Sequence, residues 1–298
     1  MILTTGGTGM AGSFIVRQIQ QRGHAVRVLA RPESAAVAEE MGADVALGDL
    51  ADTGSLRDAA QGVAGIVHVA CTLSNDPTVD IAAMETLLDA WDQGAFVFIS
   101  SVDVYGHAQY VPIDEDHPLD ETYSGYGRGK IHCEALLREI AQARGRDDFS
   151  ILRPPHIWGP HPRCRKRLVN DRVLEGRPIV LPGATQDEWS QFGDAWVDAR
   201  ELAWAAAECL SRPLGGAANV VNSHFTWHDL YAELIRLAGS TSRIEHKALD
   251  AITADELPNK GFYAQLWRYS GQRLKQRLGF QSAYRWQDTL AEIVAMTP

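Results

Sequence analysis

The sequence predicts an α/β protein with a doubly wound parallel sheet and a smaller, interleaved C-terminal α+β domain. Three observations support this fold class. In the first half of the chain, short apolar runs alternate with helical patterns. The apolar runs are continuous in Val, Ile and Leu, as is typical of strands buried on both faces. Several of the predicted helices end at a glycine. The predicted strands are 2–5, 25–30, 43–48, 65–70, 96–100 and 149–153, and the helix-ending glycines are Gly23, Gly42, Gly62, Gly94 and Gly145.

The pattern becomes less regular after Gly159. WVDARELAWAAAECL (196–210) predicts a helix, and ANVVN (218–222) predicts a further strand. We assign residues 1–158 and 190–222 to the sheet domain and residues 159–189 and 223–298 to the smaller domain. The late aromatic residues either line a pocket or fill the core of the smaller domain; they are Phe262, Tyr263, Trp267 and Tyr269.

The composition argues against several classes of function. The 298-residue chain has a formal net charge of −10, which repels nucleic-acid phosphates, so no nucleic-acid partner is expected. It has no uninterrupted apolar run of about 18 residues, and Met1 leads directly into a predicted strand, so we expect a cytoplasmic protein with no membrane span. The cysteines form no CxxC pair and no metal-binding motif is present, so no metal is expected; they are Cys71, Cys133, Cys164 and Cys209.

A glycine-rich turn, TTGGTGMAG (4–12), lies between the first predicted strand and the first helix, and Gly6, Gly9 and Gly12 form a GxxGxxG pattern in it. Glycines there permit a tight turn and let a dinucleotide pyrophosphate approach the backbone amides at the helix N-terminus. The alternative is a turn that only connects strand to helix. The context favours a Rossmann-type dinucleotide site, in which we include the flanking Thr5 and Met10.

The end of the second strand bears on which dinucleotide is bound. An acid that holds the ribose 2′-hydroxyl of NAD is expected there, but the strand reads VRVLARPES, with Ala30 in that place and Arg31 after it. The planar guanidinium of Arg31 suits a 2′-phosphate, which favours NADP as the cofactor. In the alternative, Arg31 is a solvated loop residue and Glu33 holds the ribose of NAD.

The third strand ends in GDLAD (48–52), where the adenine of such a cofactor would lie. Asp49 and Leu50 are placed to flank the adenine, and the carboxylate would accept a hydrogen bond from its amino group. A helix N-cap at Asp52 or Thr53 is compatible with this arrangement. We therefore add Asp49 and Leu50 to the predicted cofactor site.

Two further segments carry groups that can do chemistry. VFISSVDVYG (97–106) is a strand followed by Ser101 at its carboxyl end, where open α/β sheets bind ligands. In YSGYGRGKIHCEALL (123–137), Tyr126 and Lys130 are four residues apart and project from the same face of a helix. The pKa of a free tyrosine is about 10, and a neighbouring ammonium group and an oxidised nicotinamide both lower it. Tyr126 is therefore the predicted acid/base, and Ser101 would bind the reacting oxygen.

Taken together, these segments resemble the extended short-chain dehydrogenase/reductase family, in its NAD(P)-dependent epimerase/dehydratase group. The resemblance covers nearly the whole chain and rests on TGGTGMAG, GDLAD, VHVA, SSVDVYG, YGRGK, RPPHIWGP and WVDARELA in this order. It implies that the sheet domain binds NAD(P) and the smaller domain a small-molecule substrate, that Ser101 and Tyr126 are catalytic, and that Lys130 holds the ribose. It also implies further cofactor contacts, at His68 and Ala70 and in the loop from Arg153 to His156.

The sequence departs from the dehydratases of the family at one place. These enzymes carry an acidic pair just after the active-site threonine, where this chain has Val102 and Asp103. The missing first acid argues against elimination, because that reaction needs a group to protonate the leaving hydroxyl. Asp103 is then either structural or orients the substrate.

Three functions remain open. The leading one is an NADP-dependent reductase that transfers hydride at a secondary alcohol or ketone carbon. The second is a nucleotide-sugar epimerase with tightly bound NAD, in which Arg163 and Arg165 would hold the diphosphate unless they belong to a solvated helix start. The third is a non-catalytic NADP-binding sensor, which has no need of a tyrosine base. The resemblance also implies a homodimer formed through helices near 78–93 and 124–145.

Overall fold

Seven strands form the central sheet of the computed structural model, which describes residues 1–296. They are β1 (Ile2–Thr5), β2 (Val26–Ala30), β3 (Asp44–Leu47), β4 (Ile66–His68), β5 (Phe96–Ile99), β6 (Phe149–Arg153) and β10 (Gly216–Asn219). Their order across the sheet is β10–β6–β5–β4–β1–β2–β3, and each neighbouring pair is parallel. The chain order reverses between β1 and β4, and such a switch point opens a ligand-binding crevice at the carboxyl ends of the strands.

Helices cover both faces of this sheet. They are α1 (Met10–Gln21), α2 (Pro32–Glu40), α3 (Thr53–Ala60), α4 (Thr78–Asp89), α5 (Gly125–Ala143) and α9 (Ala199–Ser211). On one face α1 packs against α9 around a core that includes Ile15 and Leu202. On the other face α3, α4 and α5 pack side by side around Met84 and Leu137. The strands are apolar on both sides because each side contacts a helical layer.

The remaining elements build the smaller domain. Its strands are β7 (His156–Trp158), β8 (Ile179–Pro182), β9 (Gly193–Asp198), β11 (Ser223–Thr226) and β12 (Ile244–Lys247). Its helices are α6 (Pro162–Leu168), α7 (Asp171–Leu174), α8 (Gln186–Trp189), α10 (Trp227–Ala238), α11 (Lys260–Tyr263), α12 (Gln272–Leu278) and α13 (Trp286–Ala295); short 3₁₀ turns lie at Val102–Tyr105 and Leu249–Ala251. Strand β9 is parallel to β7 and antiparallel to β11, and β8 pairs with β12 in a separate parallel sheet.

The predicted fold class is confirmed. All six strands predicted in the first half are present, and each of the five glycines predicted to end a helix has a positive φ. The segment 196–210 was predicted as one helix, and this prediction is wrong at its start. Trp196 and Asp198 belong to β9 and are fully buried, because β9 is held between β7 and β11, and α9 begins only at Ala199.

The boundary between the two domains remains a prediction. Helix α12, which lies in the part assigned to the smaller domain, packs against β10 and places Leu274 and Leu278 in the core of the large sheet. Of the late aromatic residues, Trp267 and Tyr269 are buried core residues. Phe262 and Tyr263 are half-buried.

Candidate functional site

The glycine-rich turn forms a cradle at the carboxyl end of β1. Gly6 has a φ of +67°, and a Cβ atom there would lie 2.8 Å from the backbone of Ala70. The amide of Gly9 donates to the Gly6 carbonyl at 3.0 Å, and α1 begins at Met10, directly after the turn. A Cβ atom on Gly12 would collide with the Gly6 carbonyl. These close approaches require glycine, and they leave the first amides of α1 facing the crevice, as a pyrophosphate needs.

The predicted adenosine end of the site lies between β2 and α3. Arg31 is 60% exposed, with its Nε 3.1 Å from a Glu33 oxygen and 3.9 Å from an Asp49 oxygen. Leu50 is half-buried beside Asp49. Asp52 caps α3 by accepting from the backbone amides of its first turn. The cap and the adenine contact predicted for Asp49 are therefore compatible.

The structure brings the three predicted catalytic residues to the carboxyl end of β5. Ser101 lies two residues beyond this strand, and Tyr126 and Lys130 occupy successive turns at the start of α5. The Lys130 Nζ donates to the Ile99 carbonyl at 2.9 Å and lies 5.7 Å from the centre of the Tyr126 ring. Its Nζ is also 4.7 Å from the Phe98 ring. The ammonium group is thus fixed beside the phenol, with donors left for a ribose.

Burial and charge set the protonation of this cluster. Burial raises the pKa of Tyr126, while the Lys130 ammonium and the nearby Ser101 hydroxyl act to lower it. Burial acts to lower the pKa of Lys130, but the Tyr126 phenolate and Cys71 oppose it and the net shift is upward. At neutral pH, the site therefore holds a protonated phenol next to a charged lysine.

Thr5 and His68 support the wall of the crevice from beneath. The Thr5 Oγ1 lies 2.7 Å from the His68 Nδ1 and accepts from the backbone amides of Val69 and Ala70 at 3.2 and 3.3 Å. Burial, with the Lys130 ammonium as a second cause, lowers the pKa of His68 to about 3. His68 is therefore neutral at physiological pH, and both side chains hold the loop that carries Ala70.

Arg153 lies in a buried hydrogen-bond network. Its Nε and Nη2 donate to the two Glu134 oxygens at 2.9 and 2.5 Å, and its Nη1 donates to the Tyr105 hydroxyl at 2.9 Å. Glu134 also accepts from Ser100 at 2.6 Å, and Tyr105 donates to Asn219 at 2.6 Å. Arg153 is 2% exposed, so it positions α5 and β6 from within and presents no donor to the crevice. The cofactor contact predicted for Arg153 stays a prediction, and the buried side chain makes the backbone of this residue the part that could supply it.

A second polar cluster lies on the smaller-domain side of the predicted catalytic residues. The His156 Nε2 lies 3.0 Å from an Asp194 oxygen, and Asp103 accepts a hydrogen bond from Ser124. Burial raises the pKa of Asp103, Ser124 opposes this shift, and the Asp194 carboxylate adds to it. Asp103 in turn acts to raise the pKa of Tyr126, so the two clusters adjoin.

Asp194 was not among the predicted site residues. It is the second residue of β9, and its place opposite Phe225 of β11 and near His156 of β7 depends on the pairing of three strands from distant parts of the chain. Glu134 was missed for a similar reason, because its burial depends on contacts with Ser100 and Arg153, which are distant in the sequence. Its position one helical turn after Lys130 was the only local signal.

The basic segment lies on α6, whose Cys164 packs in the same apolar core as Trp158 and Trp227. Arg163 is exposed on α6, and α6 packs against α13. The Arg165 Nε is buried and has no hydrogen-bond partner among residues 1–296. None of the contacts described for that range joins Arg163 or Arg165 to Ser101, Tyr126 or Lys130. The diphosphate contact predicted for Arg163 and Arg165 therefore stays a prediction.

Two general features of the described chain bear on function. No helix within residues 1–296 combines the length and the apolar character that crossing a membrane requires. The same residues contain no group of three or more His, Cys, Asp or Glu side chains placed to hold a metal ion.

The chain is similar to known proteins over most of its length. The sequence model of the NAD dependent epimerase/dehydratase family matches residues 2–220. The chain is 31% identical over 239 residues to cinnamoyl-CoA reductase 1 of Oryza sativa subsp. japonica, covering 72% of this chain and 68% of that protein. It is 32% identical over 183 residues to the UDP-glucose 4-epimerase of Erwinia amylovora, covering 54% of each. The chain thus aligns with little more than half the length of the Erwinia amylovora enzyme, and the same holds for another curated relative.

The fold is shared with solved structures. The UDP-glucose 4-epimerase of Thermotoga maritima, solved with UDP-glucose, superposes with a TM-score of 0.80 over 98% of this chain and 97% of that one, at 20% identity. A similarity at this level of identity shows that the arrangement of strands and helices is common to both proteins.

Proposed function

This chain belongs to the NAD-dependent epimerase/dehydratase family of extended short-chain dehydrogenases/reductases, and we propose that it is an NADP-dependent reductase acting on a ketone or the corresponding secondary alcohol. Tyr126 carries the proton, Ser101 binds the reacting oxygen and Lys130 holds the cofactor ribose. The proposal rests on one observation, the buried Lys130 ammonium fixed 5.7 Å from the Tyr126 ring beside the Gly6 cradle.

The protonation of the site supports reduction. When bound, the nicotinamide supplies a hydride to the carbonyl carbon. Because burial keeps Tyr126 protonated at neutral pH, its hydroxyl can donate the proton that the carbonyl oxygen takes up. The Lys130 ammonium stabilises the phenolate that remains, and Ser101 donates a hydrogen bond to the same substrate oxygen.

The preference for NADP rests on Arg31. Its ion pairs with Glu33 and Asp49 are exposed, and exposed pairs contribute little, so the guanidinium can turn to a 2′-phosphate at low cost. The same two carboxylates oppose a phosphate when Arg31 is turned away. Arg31 is therefore the residue on which the choice between NADP and NAD depends.

A nucleotide-sugar epimerase with tightly bound NAD is the second candidate. The observation in its favour is that UDP-glucose 4-epimerases occur both among the curated relatives and among the solved structures that share this fold. Such an enzyme oxidises and reduces one carbon in turn, and it has no need of a dissociable cofactor. The two candidates differ in whether a nucleotide remains on the purified protein.

The test begins with mass spectrometry of nucleotide released from the denatured protein, followed by titration with NADPH and NADH. We expect an empty protein that binds NADPH the more tightly and consumes it, measured at 340 nm, with a ketone. Tyr126→Phe should lower kcat by about 100-fold to 10,000-fold with NADPH affinity retained, and exposed Tyr110→Phe serves as the matched control. Stoichiometric bound NAD, with no NADPH consumed, would overturn the reductase in favour of the epimerase.

We further propose a cytoplasmic homodimer with the two-domain division given by the sequence. Helices α4 and α5 pack side by side at the surface of the sheet domain, so pairing of both helices across a two-fold axis would form a four-helix layer. Light scattering on the eluted protein measures the mass, and a 32.7 kDa particle at working concentration would exclude the dimer.

A further inference from the structure

We propose that a cleft beside α10 binds a small zwitterion, an amino acid with an apolar side chain, at a place separate from the predicted catalytic residues. The carboxylate of this ligand would bind Arg268, its ammonium group would bind Asp229, and its side chain would pack on Trp286. The proposal goes beyond the proposed function and does not depend on it, because it concerns other residues and its test requires no catalysis.

The cleft is lined by residues of β11, of the first turns of α10 and of the start of α13, together with Arg268. Its volume is about 500 Å³, within the range of about 300–1,000 Å³ that is usual for small-molecule sites. The cleft is open to solvent, so a ligand can enter it without a change of fold. None of the lining residues belongs to the glycine turn or to the set of Ser101, Tyr126 and Lys130.

Arg268 supplies a cation with donors to spare. The side chain is half-buried, and within residues 1–296 its guanidinium forms no ion pair and one long hydrogen bond, 3.4 Å from Nη1 to the Trp267 carbonyl. Burial lowers the pKa of Arg268, and the Asp194 carboxylate opposes this shift from beyond ion-pair distance. A half-buried guanidinium in this condition favours an anionic ligand, and its planar fork matches a carboxylate.

His224 adds a second donor close to Arg268. The Tyr269 amide donates to the His224 Nε2 at 3.0 Å, so in the neutral ring the hydrogen is on Nδ1. Burial lowers the pKa of His224, with the Arg268 guanidinium as the second cause. His224 is therefore neutral at physiological pH, and its Nδ1 can donate to the same anion that binds Arg268.

Asp229 supplies the opposite charge in the first turn of α10. Its backbone amide donates to the Thr226 Oγ1 at 3.0 Å, whereas its carboxylate is exposed and has no side-chain partner in the described part of the chain. The other acid of the cleft, Glu233, is already neutralised, since Arg236 donates to its two oxygens at 2.8 and 2.6 Å. The cleft thus offers one cation and one anion that do not pair with each other, and an amino acid carries the complementary two charges.

Aromatic side chains give the cleft an apolar wall. Phe225 and Trp286 line it, and both belong to the buried core of the smaller domain, so the wall is held in place from behind. Ala232 of α10 also lines the cleft, and its small side chain leaves room beside this wall. An apolar side chain that packs there is removed from water, which favours such an amino acid over glycine. A phosphate ester carries two negative charges against one unpaired cation and is disfavoured.

Titration calorimetry on the full-length protein tests the match of charges. The probes are L-phenylalanine, 3-phenylpropanoate, which lacks the ammonium group, and 2-phenylethylamine, which lacks the carboxylate. We expect L-phenylalanine to bind more tightly than either analogue by about ten-fold or more, because each analogue loses one set of charge-assisted hydrogen bonds. Equal affinities for L-phenylalanine and either analogue would overturn the zwitterion. Failure of both L-phenylalanine and L-leucine to bind up to their solubility limits would overturn the site.

Variants assign the binding to the two charged residues. Arg268→Gln and Asp229→Asn should each weaken L-phenylalanine binding by about ten-fold, the first without affecting 2-phenylethylamine and the second without weakening 3-phenylpropanoate. Because Arg268 is half-buried, Arg268→Lys is made as well; it keeps the charge and should retain more of the affinity than Arg268→Gln. Arg243→Gln and Asp250→Asn, at exposed positions outside the cleft, are the matched controls. Wild-type affinity for L-phenylalanine in both Arg268→Gln and Asp229→Asn would contradict the assignment.

A titration in the presence of NADPH separates this cleft from the crevice at the end of the large sheet. Saturating NADPH should leave the affinity for L-phenylalanine within about two-fold of its value without the nucleotide, since the cleft shares no residue with the predicted cofactor site. Mutual exclusion of the two ligands would show that L-phenylalanine binds in the crevice and would overturn the proposal. Because binding is measured without turnover, failure of the reductase assignment leaves this result unaffected.

Discussion

Replacing Glu134 with alanine tests whether the buried network beneath the site holds α5 in place. Glu134 accepts three hydrogen bonds from buried donors, two from Arg153 and one from Ser100. The change would leave the Arg153 guanidinium, which is 2% exposed, without a counter-ion. Removing one partner of a buried ion pair costs about 3–5 kcal/mol. We therefore expect the free energy of unfolding to fall by this amount.

The corresponding thermal shift follows from the size of the chain. At about 2.1 cal/mol/K per residue, a chain of this length has an unfolding entropy of roughly 0.6 kcal/mol/K. A loss of 3–5 kcal/mol then lowers the Tm by about 5–8 °C. Calorimetry on the wild type and the variant measures this shift directly, and urea titration gives the free energy independently.

Two variants complete the test. Glu134→Ala combined with Arg153→Met removes both charges, so it should regain at least half of the lost stability, since no uncompensated charge remains. Exposed Glu139→Ala on the same helix should change the free energy of unfolding by no more than about 0.5 kcal/mol. The reasoning is refuted if Glu134→Ala costs less than about 1 kcal/mol, or if the double variant is no more stable than Glu134→Ala alone.

Three further changes probe the cofactor cradle, the cofactor preference and the response to acid. Gly6→Ala should weaken NADPH binding more than ten-fold and lower the Tm, because φ at Gly6 is +67° and the new Cβ atom would lie 2.8 Å from the Ala70 backbone. Gly261→Ala, whose Cβ atom would have no neighbour within 4 Å, is the control. Normal NADPH binding by Gly6→Ala would contradict the proposed cradle. Arg31→Ala should raise the Kd for NADPH by about ten-fold and that for NADH by less than two-fold. Equal effects on both constants would show that Arg31 does not bind the 2′-phosphate. The pKa of His68 is about 3 in the folded state and ordinarily 6.5, so the unfolded state takes up the proton first and the free energy of unfolding falls as the pH drops from 6.5 towards 3. His68→Phe should reduce this fall, as measured by urea midpoints at pH 7.5 and 5. The same difference between the two midpoints in wild type and variant would contradict this expectation.

The sheet could be predicted from the sequence because its signals are local. Each buried strand is a continuous apolar run, and each helix-ending glycine has the positive φ that the pattern indicated. The start of α9 could not be predicted in this way. In WVDARELA the apolar spacing fits a helix from Trp196 onward, and only the pairing of β9 with two other strands extends the chain up to Asp198.

The predicted catalytic residues also divide into those with local signals in the sequence and those without. Ser101, Tyr126 and Lys130 lie within motifs that are short in sequence, so their common location at the end of β5 could be predicted. Arg153 shows the limit of such motifs. Arg153 lies next to the predicted nicotinamide loop, yet it donates its hydrogen bonds to Glu134 and Tyr105. The residues RPPH around it do not indicate that the arginine side chain is buried. A charged residue in a family motif can be there to position the helix that carries the catalytic groups.

The residues in contact with His156 are the ones that sequence motifs described least well. His156, Asp194 and Trp227 come from β7, β9 and the start of α10, and none of them belongs to the glycine turn or to the serine, tyrosine and lysine set. The predicted hydride-transfer groups can therefore stay constant while the residues around His156 change. Since family members with the same fold include an enzyme named for a nucleotide sugar and one named for a cinnamoyl thioester, substrate class has to be decided outside the catalytic motifs.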